Sequence, residues 1–168
     1  MNRTAVLIFA ASLAGALHAQ NPVIKEARAQ YDRVKTNILK AAEKMPEDAY
    51  SFKPTPEQQT FGERMVHIAN QIRGCSRVAG EQKQPNLKEN PSKTDIVAAL
   101  KASFDACDAA WDSMNDTTAH EMMAGRGNTQ TSKIGTLIGN TNHDSEMYGY
   151  ISVYMRLKGV VPPSSEGR

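Results

Sequence analysis

Imidazole, carboxylate and thiol groups are the side chains through which this sequence could do chemistry. Residues 140–146 read Asn140-Thr141-Asn142-His143-Asp144-Ser145-Glu146, seven consecutive polar residues. They interrupt a stretch with helical spacing that is apolar on both sides, through Ile134 and Leu137 before and Tyr148, Ile151 and Met155 after. The same stripe passes through Thr141 and Asp144. Polar groups at core positions are costly unless paired, so the break marks either a site or a solvated middle of the helix. A second histidine, His67, lies one residue off another apolar stripe, with Asn70 and Gln71 following. Imidazole near neutral pH is both an acid–base group and a metal ligand. A single histidine beside an apolar stripe reads as a packed one; two at comparable depth on two helices form a candidate site. The two cysteines, Cys75 and Cys107, are either one disulfide or two buried thiols.

Four helical stripes must position these groups. The first holds Ile24, Ala27, Tyr31, Val34, Ile38, Ala41 and Met45, and Pro46 ends it. The second holds Phe61, Met65, Ile68, Ile72, Cys75 and Ala79, with a Thr60–Glu63 capping box at its start and its end taken at Gln82. The third holds Val97, Leu100, Phe104, Cys107, Trp111 and Met114, and begins at Ser92 or Thr94. The fourth runs from about Thr131 to Lys158, where Gly159 and Pro162-Pro163 stop it. The connections are rich in Pro, Asn, Lys and Gly, and no segment alternates with the period of a strand. Helices of about 20 to 28 residues in this number argue for an all-α, four-helix bundle.

The depths of the candidate residues argue for a topology. His67 lies about four helical turns before Gln82, and His143 a little over three turns after Thr131. With the second and fourth helices antiparallel, the two levels differ by about 4–5 Å; with them parallel, by about 7–8 Å. Cys75 is about four turns into the second helix, and Cys107 is between three and four turns beyond Thr94. Parallel second and third helices bring the cysteines within about 3 Å in height, whereas antiparallel ones separate them by about 10 Å. Both comparisons favour an up-down-down-up order and a Cys75–Cys107 disulfide. The connection from Lys83 to Lys93 is just long enough, when extended, to cross one helix length.

The chain has 168 residues, 20 basic against 18 acidic, for a net charge of +2. That length allows one ordinary domain. The charge supplies no basic stripe for nucleic acid. Hydrophobic residues are 40% and aromatic residues 6%, a balance that favours helix over a β-sandwich. At the N-terminus, Met1-Asn2-Arg3 precedes an uncharged apolar run from Thr4 to Leu17 and then His18-Ala19-Gln20. This is the order of a secretory signal peptide, expected over residues 1–19 with a cut after Ala19 or, alternatively, after Ala16. The run is shorter than the roughly 20 residues that span a bilayer, although an uncleaved anchor is the other reading. Removal of the leader leaves 19 basic and 18 acidic residues, a charge of +1, on a mature domain of residues 20–168. The expected location is secreted or periplasmic, where a disulfide persists.

Two stretches resemble the DinB-like superfamily of bacterial four-helix bundles. One runs from Met45-Pro46-Glu47-Asp48-Ala49-Tyr50-Ser51-Phe52-Lys53-Pro54-Thr55-Pro56-Glu57 into Thr60-Phe61-Gly62-Glu63 and His67-Ile68-Ala69. The other runs from His143-Asp144-Ser145-Glu146-Met147-Tyr148-Gly149 through Tyr154-Met155-Arg156-Leu157-Lys158-Gly159 to Pro162-Pro163-Ser164-Ser165. The resemblance implies an up-down-down-up bundle and a divalent metal held by three histidines, one from the second helix and a His-x-x-x-His pair from the fourth. His67 and His143 match the first two, but Met147 stands at the third. A thioether suits zinc and nickel poorly and copper better. Asn70, Asp144 and Tyr148 are expected around the ligands, and His120 is a further nitrogen that no spacing requires.

Three readings follow from that departure. In one, a divalent metal, zinc or nickel, stays on His67 and His143 and activates water for hydrolase- or transferase-like chemistry. In another, the site has lost its metal and the protein is a binding or structural bundle. In the third, His67, His143 and Met147 hold copper. Transfer reactions of some superfamily members use small cytosolic thiols, a pool that an exported chain lacks. No P-loop, Rossmann glycine pattern or nucleophile elbow is present. The partners expected are a small molecule of unidentified class, no nucleic acid, and no membrane after leader removal, with a homodimer left open.

Overall fold

The computed structural model describes residues 21–167 apart from 72, 81–84, 86 and 126. The signal-peptide reading of residues 1–19 therefore lies outside the described residues, as do Ile72 and Gln82 of the second stripe. Helix α1 (Pro22–Lys44) begins with Asn21 accepting the Val23 amide at 3.0 Å and Pro22 in the first turn, where its missing N–H costs nothing. Its stripe Ile24, Tyr31, Val34, Ile38 and Ala41 is buried. A short 3₁₀ turn (Glu47–Ser51) leads to α2 (Phe61–Asn70), which Thr60 and Glu63 cap reciprocally as their spacing predicts.

The second stripe is not one helix. It breaks after Asn70, where Gln71 leaves helical geometry, and resumes as α3 (Arg73–Val78). The apolar period carries across the break, so periodicity alone gives no sign of it. Beyond the break, Gly74 lies against Asn140 and Thr136, where an added Cβ would come within 3.3 Å of the Asn140 side chain. Cys75 in the same turn bonds to Cys107. Helix α4 (Lys93–Asp112) has Ser92 as its cap, with Asp95 completing the box. The connection that follows holds a 3₁₀ turn (Thr118–His120) and an antiparallel hairpin of β1 (Met122–Ala124) and β2 (Gln130–Ser132), with Met123 opposite Thr131. Strands of three residues are too short to display an alternation, which explains why the sequence reads as loop there. Helix α5 (Lys133–Leu157) is capped by Ser132, which accepts the Gly135 amide.

Side-chain pairs fix the directions of the helices. From α2 through α3 to α4 the contacts climb together: Gly62 lies near Ile96, Ser103 donates to the Ala69 carbonyl at 2.9 Å, and Cys75 joins Cys107. From α2 and α3 to α5 they run oppositely: Arg64 stacks on Tyr150, His67 meets His143, and Gly74 meets Asn140. Helix α1 opposes α4, since Arg28 reaches Asp112 at one end while Lys93 donates to the Glu43 and Met45 carbonyls at the other. The apolar side chains of all these helices merge into one core. On the α1–α4 face that core is closed by Tyr31, whose hydroxyl lies 2.9 Å from Asp108 Oδ1 and 3.1 Å from the Phe104 carbonyl. Arg28 and Lys35 flank its ring and pair with Asp108. No described helix is long and apolar enough to cross a membrane.

The Cys75–Cys107 Cα atoms are 4.8 Å apart and 32 residues apart in sequence. A cross-link closing a loop of that length stabilises by about 3–4 kcal/mol through the unfolded state. Reduction, or paired Cys75→Ala and Cys107→Ala substitution, is expected to lower the melting temperature by roughly 10 °C. Intact mass with and without reductant checks the bond itself, and calorimetry checks the size of the effect.

Candidate functional site

His67 belongs to the last turn of α2 and His143 to the middle of α5, and the antiparallel packing of these helices turns the two rings toward each other. Their Nε2 atoms are 3.1 Å apart, the ring centroids 5.1 Å apart and the planes inclined by 51°. At that distance the two nitrogens cannot both carry a proton without opposing donors; one donates and the other accepts, or both direct lone pairs at a common cation. Burial, then the neighbouring His143, then Arg64 hold the His67 imidazole below its ordinary value, favouring the neutral ring. Arg64 is itself engaged, with its guanidinium 4.9 Å over the Tyr150 ring and Nη2 donating to Gln58 at 2.9 Å.

Asp144 is 2% exposed. The sequence numbering places it about 100° around the helix from His143, pointing elsewhere; in the structure its carboxylate reaches back. Oδ1 lies 3.5 Å from His143 Nδ1, at the long limit of a hydrogen bond, and Oδ2 accepts from Asn140 Nδ2 at 3.0 Å. Burial pushes the Asp144 carboxyl above the ordinary aspartate range, while His143 and Asn140 pull it back. A carboxylate on the Nδ1 side of His143 favours the tautomer whose Nε2 lone pair is free, the arrangement that orients ligating histidines. Thr141, on the same buried stripe, donates to the Leu137 carbonyl at 3.0 Å. A void of about 10 Å³ between Asp144, Asn140, Ser103 and Cys107 has room for about one water.

His67 also lines a cleft of about 770 Å³ between the Glu47–Ser51 turn, the length of α2 and the first turn of α4. Asn70 shares that wall, and Glu47, Gln59, Glu63 and Lys93 are among its other polar groups. The size is that of a small-molecule site. The remaining expected groups divide. Met147 lies one turn beyond His143 and is buried in the apolar core. Tyr148 is engaged away from the histidines: its hydroxyl donates to Ser164 Oγ at 3.0 Å and accepts from the Ser164 amide at 2.9 Å, tethering the C-terminal turn. His120 is exposed at the end of its 3₁₀ turn, beside the start of α5, where the Lys133 amide bonds to the Glu121 carbonyl. Along α5, Lys133 stands about 15 Å of helix from His143.

Two contributors escape the sequence reading, and a third, Asn140, is read there only as the first residue of the polar run; its contact with Asp144 follows from their spacing of four on one helical face. Arg64 and the cleft depend on tertiary packing and leave no local signal. Among the described residues, no three His, Cys, Asp or Glu side chains are grouped so as to hold a metal. The histidine pair nonetheless fits part of a coordination sphere. Two nitrogens each about 2.0–2.1 Å from one tetrahedral ion lie about 3.3–3.4 Å apart, a few tenths of an ångström from the separation observed.

The fold has solved relatives. A DinB-like protein from Bacillus cereus matches with a TM-score of 0.70 at 19% identity, covering 83% of this chain and 95% of that one. A DinB-like protein from Bacillus subtilis gives 0.64 at 18% identity, over 80% of this chain and 92% of that one. A histidine-to-alanine mutant of the mycothiol-dependent maleylpyruvate isomerase gives 0.59 at 13% identity, over 79% of this chain and 66% of that one. No curated protein sequence matches. These likenesses establish the architecture, and the DinB superfamily model matches residues 30–150, from within α1 through most of α5. On that match, the chain belongs to the DinB superfamily.

Proposed function

We propose that this protein is an exported, divalent-cation-binding member of the superfamily, with hydrolase- or transferase-like activity toward a small molecule in the cleft beside His67. The observation that carries the reading is the convergence of the His67 and His143 Nε2 atoms at 3.1 Å. Export is supported by the basic, apolar and small-residue order of the N-terminus and by a disulfide in the core, which oxidising compartments preserve. Zinc or nickel suits the two nitrogens; copper is the ion that would recruit Met147.

When bound, such an ion would supply Lewis acidity and a more acidic coordinated water. The residues prepare for it. Asp144 holds the Nδ1 face of His143 and leaves Nε2 to ligate. Burial keeps His67 neutral, so no proton has to leave before it binds. Asn70 and the cleft carboxylates can orient a ligand beside the pair. With Met147 where the resemblance expects a histidine, the remaining positions fall to water or ligand, and binding is expected to be weaker than at a three-histidine site. A second reading rests on the same distance: 3.1 Å is also an N–H···N hydrogen bond, and a metal-free bundle would keep the pair as a structural contact.

Elemental analysis of purified mature protein, with zinc, nickel and copper titrations, separates the readings. We expect about one ion per chain at micromolar affinity, lost in His67→Ala and in His143→Ala. A wild type that holds no metal and rebinds none leaves the metal-free bundle. Asp144→Asn is expected to lower the affinity about 10–100-fold while raising thermal stability, because it removes a buried charge and keeps the shape. A parallel loss of stability and affinity would mean that Asp144 only packs.

The pH dependence has a definite sign. A histidine depressed in the folded state is protonated more readily when unfolded, so its contribution is intact above about pH 6.5 and lost as pH falls below that value. The metal-free protein should therefore melt at lower temperature as the pH is taken from about 7 toward about 5.5, with His67→Gln showing a shallower decline in thermal scans.

A further inference from the structure

The core disulfide and the polar centre of α5 meet through two contacts. Helix α3 packs against both α4 and α5. Its Cys75 is bonded to Cys107 of α4, and the neighbouring Gly74 leaves room for the Asn140 side chain. An added Cβ at Gly74 would lie 3.3 Å from Asn140 Oδ1 and 3.4 Å from Thr136 Cγ2. The same Asn140 donates to Asp144 Oδ2 at 3.0 Å, and Asp144 Oδ1 faces His143 Nδ1 at 3.5 Å. From the other direction, Cys107 borders the void of about 10 Å³ that Asn140 and Asp144 also line. A helix of six residues does not hold itself in place, so α3 depends on its anchors. Among its buried side chains, Cys75, Ser76 and Val78, the covalent anchor is Cys75.

We propose that the Cys75–Cys107 bond positions the His143 ring, acting through Gly74, Asn140 and Asp144, so that the histidine pair is complete as a donor set only in the oxidised chain. The consequence for a cation rests on the cation-binding reading given above. With the bond closed, Asn140 keeps Asp144 at the Nδ1 face of His143. The ring then carries its proton on Nδ1 and turns the Nε2 lone pair toward His67. Thiol–disulfide exchange with a dithiol breaks the S–S bond. Cys75 and Cys107 gain two electrons and two protons as thiols, and the dithiol leaves as a disulfide. Two non-bonded thiols need more room in a close-packed core than one bridge. That room lies in the void beside Asp144 or is made by a shift of α3, and either adjustment displaces Asn140 or Asp144. His143 then loses its fixed tautomer. Oxidation of the chain therefore completes the pair, and a reduced chain holds a cation weakly.

The test compares the oxidised mature chain with the Cys75→Ala, Cys107→Ala double variant, which offers no thiolate to an ion. Both are held at about 20 °C, with circular dichroism confirming that each is folded. Nitrogen-15 spectra of the metal-free histidines should show His143 as the Nδ1–H tautomer in the oxidised chain and as a mixture of tautomers in the double variant. Zinc titration should show affinity at least about tenfold weaker in the double variant. Asn140→Ala should cause a similar loss, and combining it with the alanine pair should add less than about twofold, as expected of groups acting along one line. Gly74→Ala keeps the bond and presses on Asn140, so it should shift the His143 tautomer without any reductant. It also serves as the probe if the double variant does not fold. A folded double variant or a Gly74→Ala chain with the wild-type His143 tautomer overturns the proposal, and the bond then only stabilises. A wild type that binds no zinc, but whose His143 tautomer follows the bond, refutes the cation reading and upholds the positioning.

Discussion

A carboxylate inside an apolar bundle persists only if other groups hold it, and Asp144 is the residue on which the arrangement turns. Its partners come from its own helix: Asn140 one turn back and His143 adjacent. The polar cluster is therefore assembled as soon as α5 forms. The bundle must then exclude water around the carboxylate and bring His67 across. The antiparallel passage of α2 does the second, and Ile68, Leu100, Phe104 and the disulfide help with the first. One buried charge thus ties the polar centre of α5 to the packing of three other helices.

The face between α1 and α4 solves a similar problem with stronger means. Asp108 is partly buried, but it collects the Tyr31 hydroxyl, the Lys35 ammonium and the Arg28 guanidinium. Burial and that carboxylate hold the Tyr31 hydroxyl well above the ordinary phenol range, so it remains a donor at any physiological pH. Asp108 is thus satisfied by opposite charges, whereas Asp144 has only an amide and a ring that is neutral unless protonated. The better-satisfied carboxylate is the structural one. The less satisfied one stands next to the histidine pair, where incomplete satisfaction leaves interactions available to something else.

The legible parts of this molecule are those written into local periodicity and local caps. Thr60, Ser92 and the Pro46 stop declare themselves because a cap is decided within a turn of helix. The inward placement of Thr141 and Asp144 is readable from the stripe, and the pairing of Cys75 with Cys107 is consistent with the depth argument. The break after Asn70 is not readable, because the apolar period continues through it, and the contacts beyond it, Gly74 against Asn140 and Cys75 against Cys107, are made across space. Helical angles alone point Asp144 away from His143, an inference that neglects how far a flexible side chain can return along its own helix. Tyr148, expected beside the two histidines, is instead held by Ser164, and only the fold of the C-terminal turn could reveal that. The three-residue strands carry too few positions for any pattern.

The disulfide has a consequence for the chain as a polymer. Cys75 and Cys107 close a covalent ring that contains the whole connection between α3 and α4 and most of α4 itself. Proteases tend to cut the connections between helices rather than the helices themselves. A single cut anywhere between residues 76 and 106 opens the ring without dividing the molecule. The half that carries His67 and the half that carries His143 remain one covalent species, able to re-form the same contact.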